Sequence, residues 1–251
     1  MSSSLVFAYS IIAACALITG ISKGGLGGAL GALVTPLLAL VLPTPIAIGL
    51  ALPLFMFGDL FAIWQRWGTW DRKILLATLP GTILGVIVGT YALGKLSAVT
   101  MQHLLGFAAI VYTVYKLWDR RRKGETIAPV PTSHPAEGTV FGALAGIASV
   151  VANAGSPIYT VYLLLKQVTP TVFVGTSALY FAILNLVKVP GYLSANILQP
   201  QTLLLIAWAL PLVPFGVWSG KILDRYLDMR TFELLILVFL FITGVVLLLK
   251  T

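Results

Sequence analysis

The apolar positions of this chain fall into long unbroken runs, at 5–22, 25–42, 45–66, 74–93 and 99–118. A polar stretch, DRRRKGETIAPVPTSHPAE, occupies 119–137, and apolar runs resume at 138–152, 156–167, 171–189, 202–220 and 230–249. A membrane span takes roughly 20 apolar residues, so runs of this kind predict bilayer-crossing helices. The pattern is five segments, a linker and five more segments. Pro129, Pro131 and Pro135 predict that the linker is not helical.

The first two segments of each half are unusual. Residues 5–42 would measure about 57 Å as one straight helix, too long for a single crossing of a core about 30 Å thick. Their middle, Ser22 to Gly31, reads SKGGLGGALG, and its five glycines weaken a helix and permit a tight turn. This predicts a helical hairpin that runs to the glycine-rich break and returns. Residues 138–169 repeat the plan, with the break at Ala152-Asn153-Ala154-Gly155-Ser156-Pro157 and a proline suited to the first turn of the returning helix. Two full spans and a half-depth re-entrant hairpin both fit this pattern.

The two halves also match in detail. Leu79-Pro80, Gly85-Val86 and Gly89 read LPxxxxGVxxG, as do Leu210-Pro211, Gly216-Val217 and Gly220 at an offset of 131, where Thr100 also falls on Thr231. Thr44-Pro45 falls on Thr169-Pro170 at an offset of 125, and near 126 Gly20 meets Gly146 and Asp59 meets Asn185. Residues 1–118 therefore read as a first transmembrane repeat, 119–137 as a linker and 138–251 as a second repeat.

Composition agrees. Apolar residues make up 59% and charged residues 10%, against about 45–50% and about 25% in soluble domains. Little chain is left for a soluble catalytic domain. One cysteine, Cys15, excludes an internal disulfide and a cysteine metal cluster, and two histidines, His103 and His134, argue against a histidine metal site. There is no GxxxxGK[ST] loop to hold a nucleotide. No cofactor is implied. Residues 1–4 lack a positive charge, so the first run reads as a retained segment.

The net charge of +8 reads as topology signals and contacts to anionic lipid, not to nucleic acid. If both long segments are hairpins, each half has three single spans and the halves insert in opposite orientations. Lysine and arginine then divide 12 to 3 across the membrane, with Lys23 at the hairpin tip; one span per long segment gives 10 to 5. The positive-inside rule favours the hairpins. The expectation is an all-α polytopic protein of the cell inner membrane. It has two inverted repeats, each a broken-helix hairpin plus three transmembrane helices, with both termini outside and the linker in the cytoplasm. Inverted repeats recur in secondary transporters. A homo-oligomer is compatible with this plan.

Gly20-Ile21-Ser22-Lys23-Gly24-Gly25-Leu26-Gly27-Gly28, followed by Pro36-Leu37-Leu38, resembles the opening motif of the TauE/SafE sulfite-exporter family, also called the 4-toluene sulfonate uptake permease superfamily. Asp59, the Leu-Pro-Gly run at 79–81 with Gly85 and Gly89, and Phe173-Val174-Gly175-Thr176 are similar too. The resemblance covers nearly the whole chain. It implies export or uptake of small sulfur-containing anions such as sulfite or organosulfonates. One departure stands out: where many members carry a second glycine-rich run, this chain reads Asn-Ala-Gly-Ser-Pro. A different substrate would follow.

Helices broken inside a membrane must turn their free backbone groups toward protein, water or ligand. The start of each returning helix offers free N–H groups and a partial positive charge, which suits an anion. The expected substrate site is therefore Lys23, Gly24, Gly25, Gly27 and Gly28 at one tip and Asn153, Gly155, Ser156 and Pro157 at the other. The plainer alternative is that the glycines only let helices pack closely. Lys23 reads either as a buried partner of Asp59 or of an anion, or as an interfacial positive-inside residue. Asp59 reads as a proton-coupling carboxylate, as a partner for Lys23, or as an interfacial acid. Lys188, near the expected end of its span, reads as a lysine that snorkels to the surface. His103 reads as polar lining and His134 as solvated.

An inside-negative potential drives anion exit by about 2.3 kcal/mol per charge per 100 mV, so export needs no coupling ion whereas uptake does. A passive channel, an assembly subunit and an intramembrane serine protease are the competing classes. The protease is disfavoured because Ser156 lacks a nearby base and Pro157 removes a neighbouring N–H.

Overall fold

The computed structural model describes residues 3–25, 30–122, 135–226 and 229–249. Its elements are helices α1 (Ser3–Gly25), α2 (Gly31–Val41), α3 (Thr44–Gln65), α4 (Arg72–Leu93), α5 (Ala98–Arg122), α6 (Pro135–Ala152), α7 (Gly155–Leu165) and α8 (Pro170–Ser194). A 3₁₀ turn (Pro200–Leu203), α9 (Leu204–Ala207), α10 (Leu212–Tyr226) and α11 (Met229–Leu249) follow. The protein is an all-α polytopic membrane protein. Among the described residues five helices are long and apolar enough to cross a bilayer, or six with the bent pair Pro200–Ala207 and Leu212–Gly220.

Local chemistry sets three of the helix starts. Asp71 caps α4, its carboxylate accepting from the Lys73 and Ile74 amides at 2.7 and 3.2 Å. The two Thr-Pro pairs open α3 and α8, with proline in the first turn where its missing N–H costs nothing. Pro36, Pro53, Pro80 and Pro190 lie inside helices. Neighbouring helices in a membrane bundle make such prolines tolerable.

Both hairpins form. Leu30 N donates to Ser22 Oγ at 3.0 Å, and Cys15 Sγ reaches Val34 O farther down, so α2 runs back along α1. In the second hairpin Gly155 backs onto Ala145 and Ser149, and Gly138 lies against Tyr162. The returning helices α2 and α7 have 11 residues each. At 1.5 Å per residue each is about 16 Å long, half of a bilayer core, so neither crosses alone.

Packing is reciprocal between the halves. α1 lies along α10 and α6 along α4, while α3 packs on α8 and α5 on α11. A Cβ at Gly20 would fall 2.2 Å from Val213 O and also meet Gly216 and Val217. At Gly146 it would meet Thr82, Gly85 and Val86, the same three positions displaced by the 131-residue spacing. Gly216 backs onto Leu17, Gly20 and Ile21, as Gly85 backs onto Ala143.

Four expectations need correction. The 202–220 segment is not one helix: it breaks at 208–211 and bends by 57°, because Pro211 and Pro214 remove two amides one turn apart from the ladder. Its counterpart α4, with Pro80 alone, stays continuous. α5 runs on to Arg122, inside the expected linker, and Pro135 opens α6 as a first-turn proline. Lys188 does not snorkel: it is 0% exposed. α8 continues past Pro190 to Ser194, with Tyr192 Oη donating to Val150 O at 2.7 Å. That anchor keeps the last turns packed and turns Lys188 inward.

Candidate functional site

The site is built where the two hairpin tips meet α3 and α8. Lys23, in the last turn of α1, is buried and ion-pairs with the carboxylate of Asp59 on α3. The other carboxylate oxygen of Asp59 accepts from Asn185 Nδ2 on α8 at 2.7 Å. Asp59 and Asn185, matched at the 126-residue spacing, thus touch one another.

The second tip turns at Asn153, whose φ of 53° is a left-handed conformation that asparagine adopts more readily than most residues. This turn aims its amide both ways. Asn153 Nδ2 donates to Thr35 Oγ1 on α2 at 2.8 Å, and Asn153 Oδ1 accepts from Lys188 Nζ at 2.7 Å. Lys188 Nζ also donates to Ser149 Oγ at 3.2 Å and Ser149 O at 3.3 Å. The two hairpins are therefore tied to each other and to α8 by buried polar contacts.

Between them lies a cavity of about 30 Å³. Lys23 and Gly31 line it from the first hairpin, and Ser149, Asn153 and Ser156 from the second. α3 and α8 add Phe55, Phe181 and Asn185. The rings of Phe55 and Phe181 lie 5.9 and 5.4 Å from Lys23 Nζ. Phe55 and Phe181 are also 126 apart. Neither α2 nor α7 has a side-chain cap at its start, and their opening residues Gly31 and Ser156 border the cavity. Free amide donors and the positive ends of two helix dipoles thus converge on one small space.

Not every expected residue lies there. Lys23, Asn153 and Ser156 line the cavity, and Asp59 sits behind Lys23. Gly24 faces α10, where a Cβ would fall 2.2 Å from Val217 O. Gly155 closes its hairpin against Ala145 O. Pro157 borders a separate apolar groove with Ala108, Val111 and Tyr112 of α5. Gly25 is the last residue of α1, and Gly27, Gly28 and His134 lie outside the described residues. His103 is exposed on α5, and no cluster of three metal-ligating side chains occurs among the described residues.

Sequence reasoning missed Ser149, Phe55, Phe181 and Lys188. For the phenylalanines a signal existed: each sits one turn before Asp59 or Asn185, at the spacing of the repeat.

A family model described as Sulfite exporter TauE/SafE matches residues 12–247 of the chain. No curated protein and no solved structure matches it.

Proposed function

The chain belongs to the sulfite exporter TauE/SafE family, a family of anion transporters, and from that premise we propose that it is a secondary transporter of a small sulfur oxyanion. The anion binds where the two hairpin tips meet and reaches either side of the membrane by alternating access. The observation that carries this reading is the convergence of two uncapped helix starts and a buried lysine on one polar cavity. Its small volume favours sulfite and the smallest sulfonates over aryl sulfonates. The reciprocal glycine contacts support an inverted repeat, and the charge asymmetry supports an inner-membrane protein with both termini outside.

Purified protein in liposomes tests the substrate. Saturable sulfite flux that shows counterflow is expected, with slower flux of bulky aryl sulfonates. Absence of flux for sulfite, small sulfonates and sulfate alike would remove the proposal, and flux without counterflow would replace a carrier with a channel.

Phe55 and Phe181 are the natural gates, one from each half. Exchanging the conformations of two related halves would open one ring while closing the other. Phe55→Leu and Phe181→Leu keep most of the apolar volume but remove the flat ring over Lys23. Each is expected to raise uncoupled sulfite leak several-fold in liposomes. Unchanged leak in both variants would take the gating role away from them.

A further inference from the structure

The buried charges around the cavity do not balance. Lys23 is compensated by Asp59. Lys188 is fully buried, and neutral groups hold its ammonium: Asn153 Oδ1, Ser149 Oγ and Ser149 O accept from it, and the Tyr192 ring lies 5.4 Å away. Among the described residues no carboxylate lies within 4 Å of it. Among the described residues, two lysines and one aspartate leave one positive charge without a carboxylate to meet it. Removing an unpaired ammonium from water is unfavourable. Intramembrane charges of this kind occur where they serve a substrate path.

Lys188 does not border the cavity itself, but both side chains that hold it do. Ser149 Oγ spends a lone pair on Lys188 and keeps its own O–H to donate to a guest. A hydroxyl that accepts from a cation is also a stronger donor. Asn153 is gripped between Lys188 and Thr35, so its position at the cavity wall is fixed by the same lysine.

We propose that Lys188 is the positioning residue that charges the cavity, acting through Ser149 and Asn153, so that the one uncompensated positive charge selects a singly charged oxyanion. This rests on the anion site of the reading above, not on its transport step, and moves the counter-charge away from Lys23, whose charge Asp59 already meets. Binding of a monoanion neutralises the cluster. A dianion would leave it with a net negative charge in a medium that stabilises such charge poorly.

The full chain in detergent tests this by thermal melting with methanesulfonate, which carries one charge, and sulfate, which carries two. Both are tetrahedral and of similar size. The native protein is expected to be stabilised by methanesulfonate at concentrations about tenfold below those needed for sulfate, the discrimination of a single charge-assisted contact. Lys188→Met is expected to melt no lower than the native protein without anion, because an uncompensated cation is gone. Its methanesulfonate response should weaken by about tenfold or more. Ser149→Ala, a smaller change within a helix, should weaken that response several-fold.

A native protein that prefers sulfate would overturn the charge count. Lys188→Met that melts lower and keeps the native anion preference would show that the lysine only braces the hairpin. If sulfite is not transported but the methanesulfonate response disappears in Lys188→Met, the transport reading fails and this inference stands.

Discussion

Alanine at Gly81 is expected to prevent α4 and α6 from seating against each other. The added Cβ would fall 1.8 Å from Thr139 O and 2.6 Å from Thr139 C. These are backbone atoms of a neighbouring helix, so no rotamer can move aside and the helices must separate. Overpacking costs about 1–3 kcal/mol when flexible side chains yield, and a rigid backbone clash belongs at or above the top of that range. In a bilayer the loss is felt fully, since helix association rests on close packing and interhelical hydrogen bonds and lipid offers no hydrophobic drive to restore it. The same outcome is expected for Gly24→Ala, where Val217 O would lie 2.2 Å away on the other side of the bundle. Gly94→Ala is the control. Its nearest contacts lie at 3.4 and 3.5 Å and its φ is −64°, so it should melt close to the native protein. Thermal melting of the three variants in detergent checks the order. A Gly81→Ala protein as stable as Gly94→Ala would show that α4 and α6 do not touch as described.

These glycines mark where the sequence was ambiguous. Gly24 sits in the same run as Lys23, and a glycine that frees a backbone for a ligand looks like one that admits a neighbouring helix. Only the placement of α10 decides between the two. The breaks themselves were legible, because glycine clusters and the Asn-Ala-Gly-Ser-Pro turn interrupt apolar runs too long for one span. The pairing of Lys23 with Asp59, and the matching of Asp59 with Asn185, were also within reach. Lys188 was not. Its apolar run ends at 189, and a lysine near a helix end ordinarily reaches the surface. Tertiary contacts carry α8 onward instead, through Tyr192 and Val150. The kink at 208–211 was hidden for the converse reason: Pro80 and Pro211 occupy equivalent positions, and only the second is followed by another proline three residues on.

At the spacing that matches the two halves in sequence, the charge pattern is asymmetric. At the 126-residue spacing Lys23 falls on Ser149 and Lys188 on Ala62. Each hairpin therefore makes one lysine contact with the third helix of its own half, but the lysine sits on the hairpin in the first half and on the helix in the second. Only the first contact has a carboxylate at its other end. The matched positions of the two halves thus carry different charges.

That difference gives the second large effect. Lys23→Met is expected to destabilise the protein by about 3–5 kcal/mol, the usual consequence of stranding one member of a buried ion pair. It leaves the Asp59 carboxylate, 2% exposed, with the Asn185 amide as its remaining close donor. Asp59→Asn should cost less, because the stranded ammonium still lies against the rings of Phe55 and Phe181, each worth about 0.5–2 kcal/mol to a cation. The double variant Lys23→Met with Asp59→Asn should recover most of the stability, since neutral groups of similar size can replace a buried pair at little net cost. Melting the four proteins as a double-mutant cycle measures the coupling. Additive single effects would mean that Lys23 and Asp59 are each satisfied by other groups. The cavity would then hold two independent cations and not a compensated pair beside a single free charge.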